Sequence, residues 1–209
     1  MSHYTVGIIV PPEELDDIAS FVEQQLAPFD EAIKVAPYVC YTLEQAKTAL
    51  ESEVRHFTRI IADRNEAFDL KRCQQALDEL LLMTPEERYA EYVRGHTHFN
   101  TKGEPLSRYN PTGKWDWHHI GGRWNGWLHD RDGKQSKLAD NIASIEQVIK
   151  HKKFTFALVT PAGEWFEQGH MGWFGAVIDG KTDDQWHAEA EAILRRYLDH
   201  SMVLVDAHI

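Results

Sequence analysis

Residues 110–127 crowd four tryptophans, Lys114, Asp116, His118, His119, Arg123 and the pair Gly121-Gly122 into one short segment. A core needs apolar bulk, but it does not need cations and a diglycine interleaved with that bulk. Indole faces stack on bases and attract cations. Backbone N–H groups in an unusual turn hold anions, and arginine presents a planar fork that matches two phosphate oxygens. The expected ligand is therefore a small phosphorylated nucleotide. Lys114, Arg123 and the amides around Gly121 and Gly122 would hold its phosphate, and Trp115 or Trp117, Trp124 and Trp173 would stack on its base. If residues 114–120 are extended, alternation puts Lys114, Asp116, His118 and Ile120 on one face. Trp115, Trp117 and His119 then take the other. The bland alternative is a tryptophan-rich hairpin core edged by ordinary charges.

Two further stretches carry chemistry. At the C-terminus, alternation places Leu204, Asp206 and His208 opposite Val203, Val205, Ala207 and Ile209. An aspartate two residues from a histidine can orient the imidazole for proton transfer or ligate a metal; a frayed polar strand end is the competing reading. Residues 169–175 set three glycines around Trp173 and Phe174, either as an aromatic platform or as a bend that buries both rings. His96 and His98 resemble half of a two-histidine phosphoesterase signature that has no second copy. His3, His56, His151 and His187 read as surface residues, and His118 and His119 alternate across a strand, so they cannot share one site. No dinucleotide fingerprint, Walker loop, nucleophile elbow or HExxH motif occurs. No cofactor and no metal site is indicated.

These residues need elements to position them. Residues 4–10 form a β-branched run that ends at Pro11-Pro12, and Leu15, Ile18, Val22 and Leu26 follow at helical spacing, so the chain opens β–α. Residues 42–95 read as helical throughout, with capping boxes at Thr42/Gln45 and Thr84/Glu87. Strands are expected over 114–120, 124–128, 154–159, 164–168 and 176–178, a helix over 136–150, a last helix from Asp183 or Asp184, and a closing strand over 201–209. The fold class is α+β: one domain over 1–209, an antiparallel sheet with a ferredoxin-like split βαβ core, and a helical insertion over about 42–95. That insertion is a packing element or a partner-binding arm.

The net charge of −11 argues against a general grip on DNA or RNA, whose affinity comes from neutralised phosphates. It leaves room for a small nucleotide held by a few local cations. Cys40 and Cys73 lack the spacing of a disulfide framework or zinc site. With no membrane-length apolar segment, a cytoplasmic protein without a membrane partner is expected, and homo-oligomerisation is left open.

The motifs together resemble a family of uncharacterised phage and prophage proteins. Its members share Leu-Ala-Pro-Phe followed by acidic residues, Asn-Pro-x-x-Lys-Trp-Asp-Trp with Ile-Gly-Gly-Arg-Trp, Met-Gly-Trp-Phe-Gly, and a C-terminal Val-Asp-Cys-His-Ile. Here these fall at 26–31, 110–124, 171–175 and 205–209, with Ala207 in place of the cysteine and His118 where another aromatic is usual. The first departure excludes a thiolate at that position, and the second makes His118 a wall residue. The resemblance implies a phage-type accessory protein that counters host defence. The leading expectation is sequestration of a host signal nucleotide. An enzyme that cleaves it through His208, oriented by Asp206, and a direct protein–protein inhibitor are the alternatives.

Overall fold

β1 (His3–Val10) and the last strand of the chain run antiparallel over their whole length, His3 opposite His208 and Val10 opposite Ser201. In this computed structural model the described residues are 2–64, 69–130, 137–171, 177–178 and 180–209. They divide into two compact units, 1–33 with 109–209, and 34–108.

In the first unit, a 3-10 turn (Pro12–Asp17) leads from β1 into α1 (Ile18–Leu26). The second unit holds β2 (Tyr38–Val39), α2 (Leu43–Ala62), α3 (Leu70–Leu82), α4 (Pro85–Val93) and β3 (Leu106–Ser107). Back in the first unit come β4 (Trp117–Ile120), β5 (Ile142–Ser144), α5 (Ile145–Lys150), β6 (Ala157–Val159), β7 (Trp165–Glu167), β8 (His170–Met171) and β9 (Val177–Ile178). α6 (Asp183–Leu194) and β10 (Ser201–His208) close the chain.

The main sheet has the order β4-β10-β1-β6-β7, with β5 beside β4 on the outer edge of β10. Its centre is apolar on both faces, which is why Val6 to Val10 and Met202 to Val205 read as unbroken apolar runs. One face buries Val6, Ile8, Val203 and Val205 against Phe21, Val22 and Leu26 of α1. The other buries Ile9, Met202 and Leu204 with Trp186 and Leu194 of α6. Each such side chain contributes about 1.5–3 kcal/mol on full burial, so β1 and β10 anchor whatever their ends carry. Gly7 of β1 is crowded by side chains of Met202, Leu158 and Thr155. A Cβ there would lie 2.6 Å from Met202 Sδ and 2.9 Å from Thr155 Oγ1.

The second unit is built by amphipathic helices. Both expected capping boxes form, at Thr42/Gln45 and Thr84/Glu87. Ala46, Leu50, Ile60, Cys73 and Leu77 are buried. The helical reading of 42–95 thus falls within a unit that spans 34–108.

Several expectations need correction. The α+β class stands, but the sheet is mixed rather than antiparallel, because β1 pairs with β6 in parallel. A ferredoxin-like core is not confirmed: β6 lies directly beside β1 and β7 takes the edge. The expected strand over 124–128 is instead two 3-10 turns, Gly122–Trp124 and Trp127–His129. The helix expected over 136–150 shrinks to α5, preceded by β5 and a 3-10 turn at Leu138–Asn141. Apolar residues at helical spacing there serve a strand and a helix in turn, since β5 pairs with β10 before α5 begins.

Candidate functional site

The register of three strands assembles the site. His208 lies opposite His3 on one side and Trp117 on the other, and Asp206 lies opposite Thr5 and His119. Alternation then puts His3, Trp117, His119, Asp206 and His208 on one face at the end of the sheet. Below them on β10, Leu204 enters the apolar core, so the polar cluster stands on a rigid base.

Two histidine–carboxylate pairs form there. His3 Nδ1 is 2.8 Å from Asp206 Oδ1, and His208 Nδ1 is 2.5 Å from Asp116 Oδ1. A carboxylate only accepts, so each Nδ1 carries a hydrogen and each Nε2 is left as the atom that can exchange a proton. The two imidazoles meet edge-to-face with centroids 4.9 Å apart. Trp117 stacks on His208 at 5.3 Å and meets His3 edge-on at 5.2 Å. Asp206 and His208 are buried, whereas Trp117 is 42% exposed.

The expected Asp206–His208 partnership is not the one that forms. Side chains two apart on a strand stand side by side, and each here reaches across to a residue of another segment. His3, read from sequence as a surface residue, is the corrected partner of Asp206. The signal that could have found it is its place on a β-branched N-terminal run, which an antiparallel C-terminal strand brings level with position 208.

Gly121 and Gly122 hold the backbone against Asp206. The Arg123 N–H donates to Asp206 Oδ2 at 3.0 Å, and the Gly121 N–H donates to the Leu204 carbonyl at 2.8 Å. Gly122 has φ +52°, and a Cβ on it would lie 2.4 Å from the Asp206 carboxylate. Gly121, at φ +74°, would drive a Cβ to 2.0 Å from Asn125 Oδ1. Two of the amides expected to hold phosphate are thus engaged by the protein itself, one of them by an internal carboxylate.

The other expected ligand residues are dispersed. Lys114 Nζ binds Glu167 Oε1 at 2.7 Å, and Glu167 also accepts from Trp165 Nε1 at 2.8 Å. Arg123 is exposed. Trp115 is buried among the α1-side residues and donates to the Leu26 carbonyl at 3.1 Å. Trp124 packs on the α6-side core. Trp173 lies outside the described residues.

The predicted face pairing holds over 117–120, with Trp117 and His119 on one face and His118 and Ile120 on the other, but it fails over 114–116. The amides of Lys114 and Trp115 turn to the Phe29 carbonyl, while that of Asp116 turns to His208. The resulting bend breaks the period of two, so Trp115 and His118 share a face, their rings 4.5 Å apart. Asp116 is thereby freed to reach His208. Tyr4 closes this corner: its hydroxyl donates to the Lys114 carbonyl, and burial, with Glu167 and Asp116 nearby, pushes its pKa up.

On the α1 side of β4 is a shallow recess of about 170 Å³ lined by Val22, Glu23, His118, His119 and Ile120. Burial lowers the His118 pKa, against the pull of Glu23, whose carboxylate lies 3.6 Å away. A second recess lies in the other unit; neither is lined by Lys114, Arg123 or Trp117. Among the described residues, no cluster of three or more His, Cys, Asp or Glu is arranged to hold a metal ion, and no helix is long and apolar enough to cross a membrane.

No family model, curated protein or solved structure matches this chain.

Proposed function

We propose that the unit formed by 1–33 and 109–209 is an acid–base catalyst that cleaves a phosphoester bond in a small nucleotide. The observation that carries this reading is the pair of imidazoles, His3 and His208, in ring contact with each Nδ1 held by its own carboxylate. One ring, neutral, takes the proton of an attacking hydroxyl or water on Nε2, while the other, entering the cycle as the imidazolium, gives its Nε2 proton to the leaving oxygen. The proton lost by one ring and gained by the other is exchanged with solvent before the next turnover. Their carboxylates fix the tautomer and favour the imidazolium as it forms. Asp116 and Asp206 are positioning residues in this scheme.

Exposed Trp117 supplies an aromatic surface beside the imidazoles, worth about 1–3 kcal/mol to a stacked base. Exposed Arg123, whose main chain touches Asp206, supplies the nearest unspent cation of the motif for a phosphate. Simple sequestration, the leading expectation from sequence, is less well supported: Lys114 is spent on Glu167, and the amides of Gly121 and Arg123 are spent on Leu204 and Asp206. Sequestration also gives no role to two oriented histidines. The resemblance of the motifs to phage proteins motivates a host signal nucleotide as the substrate, in a phage-type anti-defence role in the host cytosol.

Incubation with cyclic and linear nucleotides, followed by heat denaturation and chromatography of the supernatant, separates the readings. New products support catalysis. Intact nucleotide released only on heating supports sequestration instead, and no change with any nucleotide removes both.

A further inference from the structure

An acid–base pair acts on a nucleophile, and among the described residues no hydroxyl or thiol beside His3 and His208 is placed to be one. Ser2 and Tyr4 flank His3 along an extended chain, so alternation points both at the opposite face of the sheet. Tyr4 lies there in the α1-side core, and its hydroxyl is spent on the Lys114 carbonyl. Thr5 shares the face of His3, but its Oγ1 accepts from the Phe156 amide at 3.0 Å. Cys40 and Cys73 belong to the unit 34–108.

A water is the next candidate, and a fixed water needs a partner besides the base. The polar groups around the pair are already engaged. Both oxygens of Asp206 are taken, Oδ1 by His3 and Oδ2 by the Arg123 amide. The Gly121 amide is spent on the Leu204 carbonyl, and the Lys114 ammonium on Glu167. Asp116 grips the Nδ1 edge of His208, so its second oxygen stands on the side of the ring away from Nε2. Exposed His119 is two strands from His3 and diagonal to His208, a Cβ spacing of about 7–8 Å. The imidazoles are also deep, their side chains 11% and 6% exposed, so each offers a reactant little more than an edge.

We infer that the nucleophile is a hydroxyl of the substrate itself, on the ribose carbon next to the one that carries the phosphoester. The substrate class is thereby a ribonucleotide phosphodiester, and a deoxyribonucleotide falls outside it. This rests on the acid–base reading of His3 and His208 and supplies the nucleophile that reading leaves open. One imidazole takes the hydroxyl proton on Nε2, and the ribose oxygen bonds to phosphorus. The bond from phosphorus to the oxygen of the next nucleoside breaks, and the other ring, as the imidazolium, protonates that oxygen. The products are a cyclic phosphate on neighbouring ribose oxygens and a free alcohol, and no water is consumed. A hydroxyl held beside phosphorus by its own sugar needs no second partner from the protein. Well-oriented intramolecular attack reaches effective molarities of about 10⁵–10⁸ M.

The test incubates the full chain, in water labelled with heavy oxygen, with ribodinucleoside monophosphates of every base combination, cyclic diadenylate and cyclic diguanylate. Each has a counterpart in which the attacking hydroxyl is replaced by hydrogen or by a methyl ether. The ribonucleotides that are cleaved are expected to give a cyclic phosphate free of heavy oxygen as the first product, identified by mass. Their counterparts are expected to react slower by about 10³-fold or more. His3→Gln and His208→Gln, each confirmed to be folded, are expected to lose the cyclic product, which separates the protein's own cleavage from that of a trace ribonuclease. Heavy oxygen in the first product, or counterparts cleaved within about tenfold of the ribonucleotides, overturns the substrate hydroxyl and leaves the acid–base pair standing with water as its nucleophile. No cleavage of any ribonucleotide overturns the acid–base reading and this inference together.

Discussion

Asp116 Oδ1 and His208 Nδ1 stand 2.5 Å apart although the two residues are separated by 92 positions and only His208 belongs to a strand. The contact exists because the backbone bends at Asp116, immediately before β4 begins, and turns its amide onto the His208 carbonyl. Asp116 is half out of the sheet and its side chain is 36% exposed, whereas that of His208 is 6% exposed. A partly solvated carboxylate therefore orients a buried imidazole.

Replacing that carboxylate tests its positioning role. Asp116→Asn can hold His208 only by offering its amide oxygen, and loses the charge that favours the imidazolium. The expected result is a fall of about 10²-fold or more in kcat with KM little changed. The pH–rate profile measured on the cleaved nucleotide is expected to move with it, which a purely structural loss does not produce.

Asp206 has a different standing. It is 1% exposed and accepts from both His3 and the Arg123 amide. Asp206→Ala strands those two donors in a buried site, at a cost of about 1–3 kcal/mol for each group left without a partner. Urea unfolding is expected to show that loss, and a midpoint equal to wild type contradicts the buried network.

Gly122→Ala is expected to be among the most damaging single-methyl changes in the chain. The residue has φ +52°, and its new methyl meets the Asp206 carboxylate at 2.4 Å. The left-handed backbone costs about 1–2 kcal/mol and the overpacking about 1–3 kcal/mol more. A loss of 2 kcal/mol or more by denaturant unfolding is the expected reading. Gly95→Ala, where a Cβ meets nothing within 4 Å, is the control and is expected to be nearly neutral.

His118 gives stability a dependence on pH. Its folded pKa is lowered, chiefly by burial, with Glu23 and Asp30 opposing and His119 reinforcing the shift. Below the ordinary histidine pKa near 6.5 the unfolded chain takes up the proton before the folded one does. The His118 contribution is therefore fully present above about 6.5 and is lost as the pH falls from there through the folded value. Urea unfolding across this window is expected to show a shallower slope for His118→Phe than for wild type, and identical slopes count against it.

Much of this arrangement could be read from residue order alone. The capping boxes at Thr42 and Thr84, the opening strand and helix, and the face shared by Leu204, Asp206 and His208 follow from local period and side-chain chemistry. Cross-strand partners do not. Which imidazole Asp206 meets depends on register between strands at opposite ends of the chain, and the β-branched run that carries His3 marks a strand but not its partner. The face assignment held over 117–120 and failed before it, because one bend at Asp116 cancels a rule that assumes an unbroken strand. Charges mislead in the same way: Lys114 is a free cation on paper, and its fate turns on Glu167, 53 residues on.

The most direct measurement is cleavage of a signal nucleotide by wild type and by the single variants His3→Gln and His208→Gln, each confirmed to be folded by its thermal transition. Product formation by wild type, with a drop of about 10²–10⁴-fold in both variants, is the predicted result. Turnover that survives the loss of either imidazole contradicts the account.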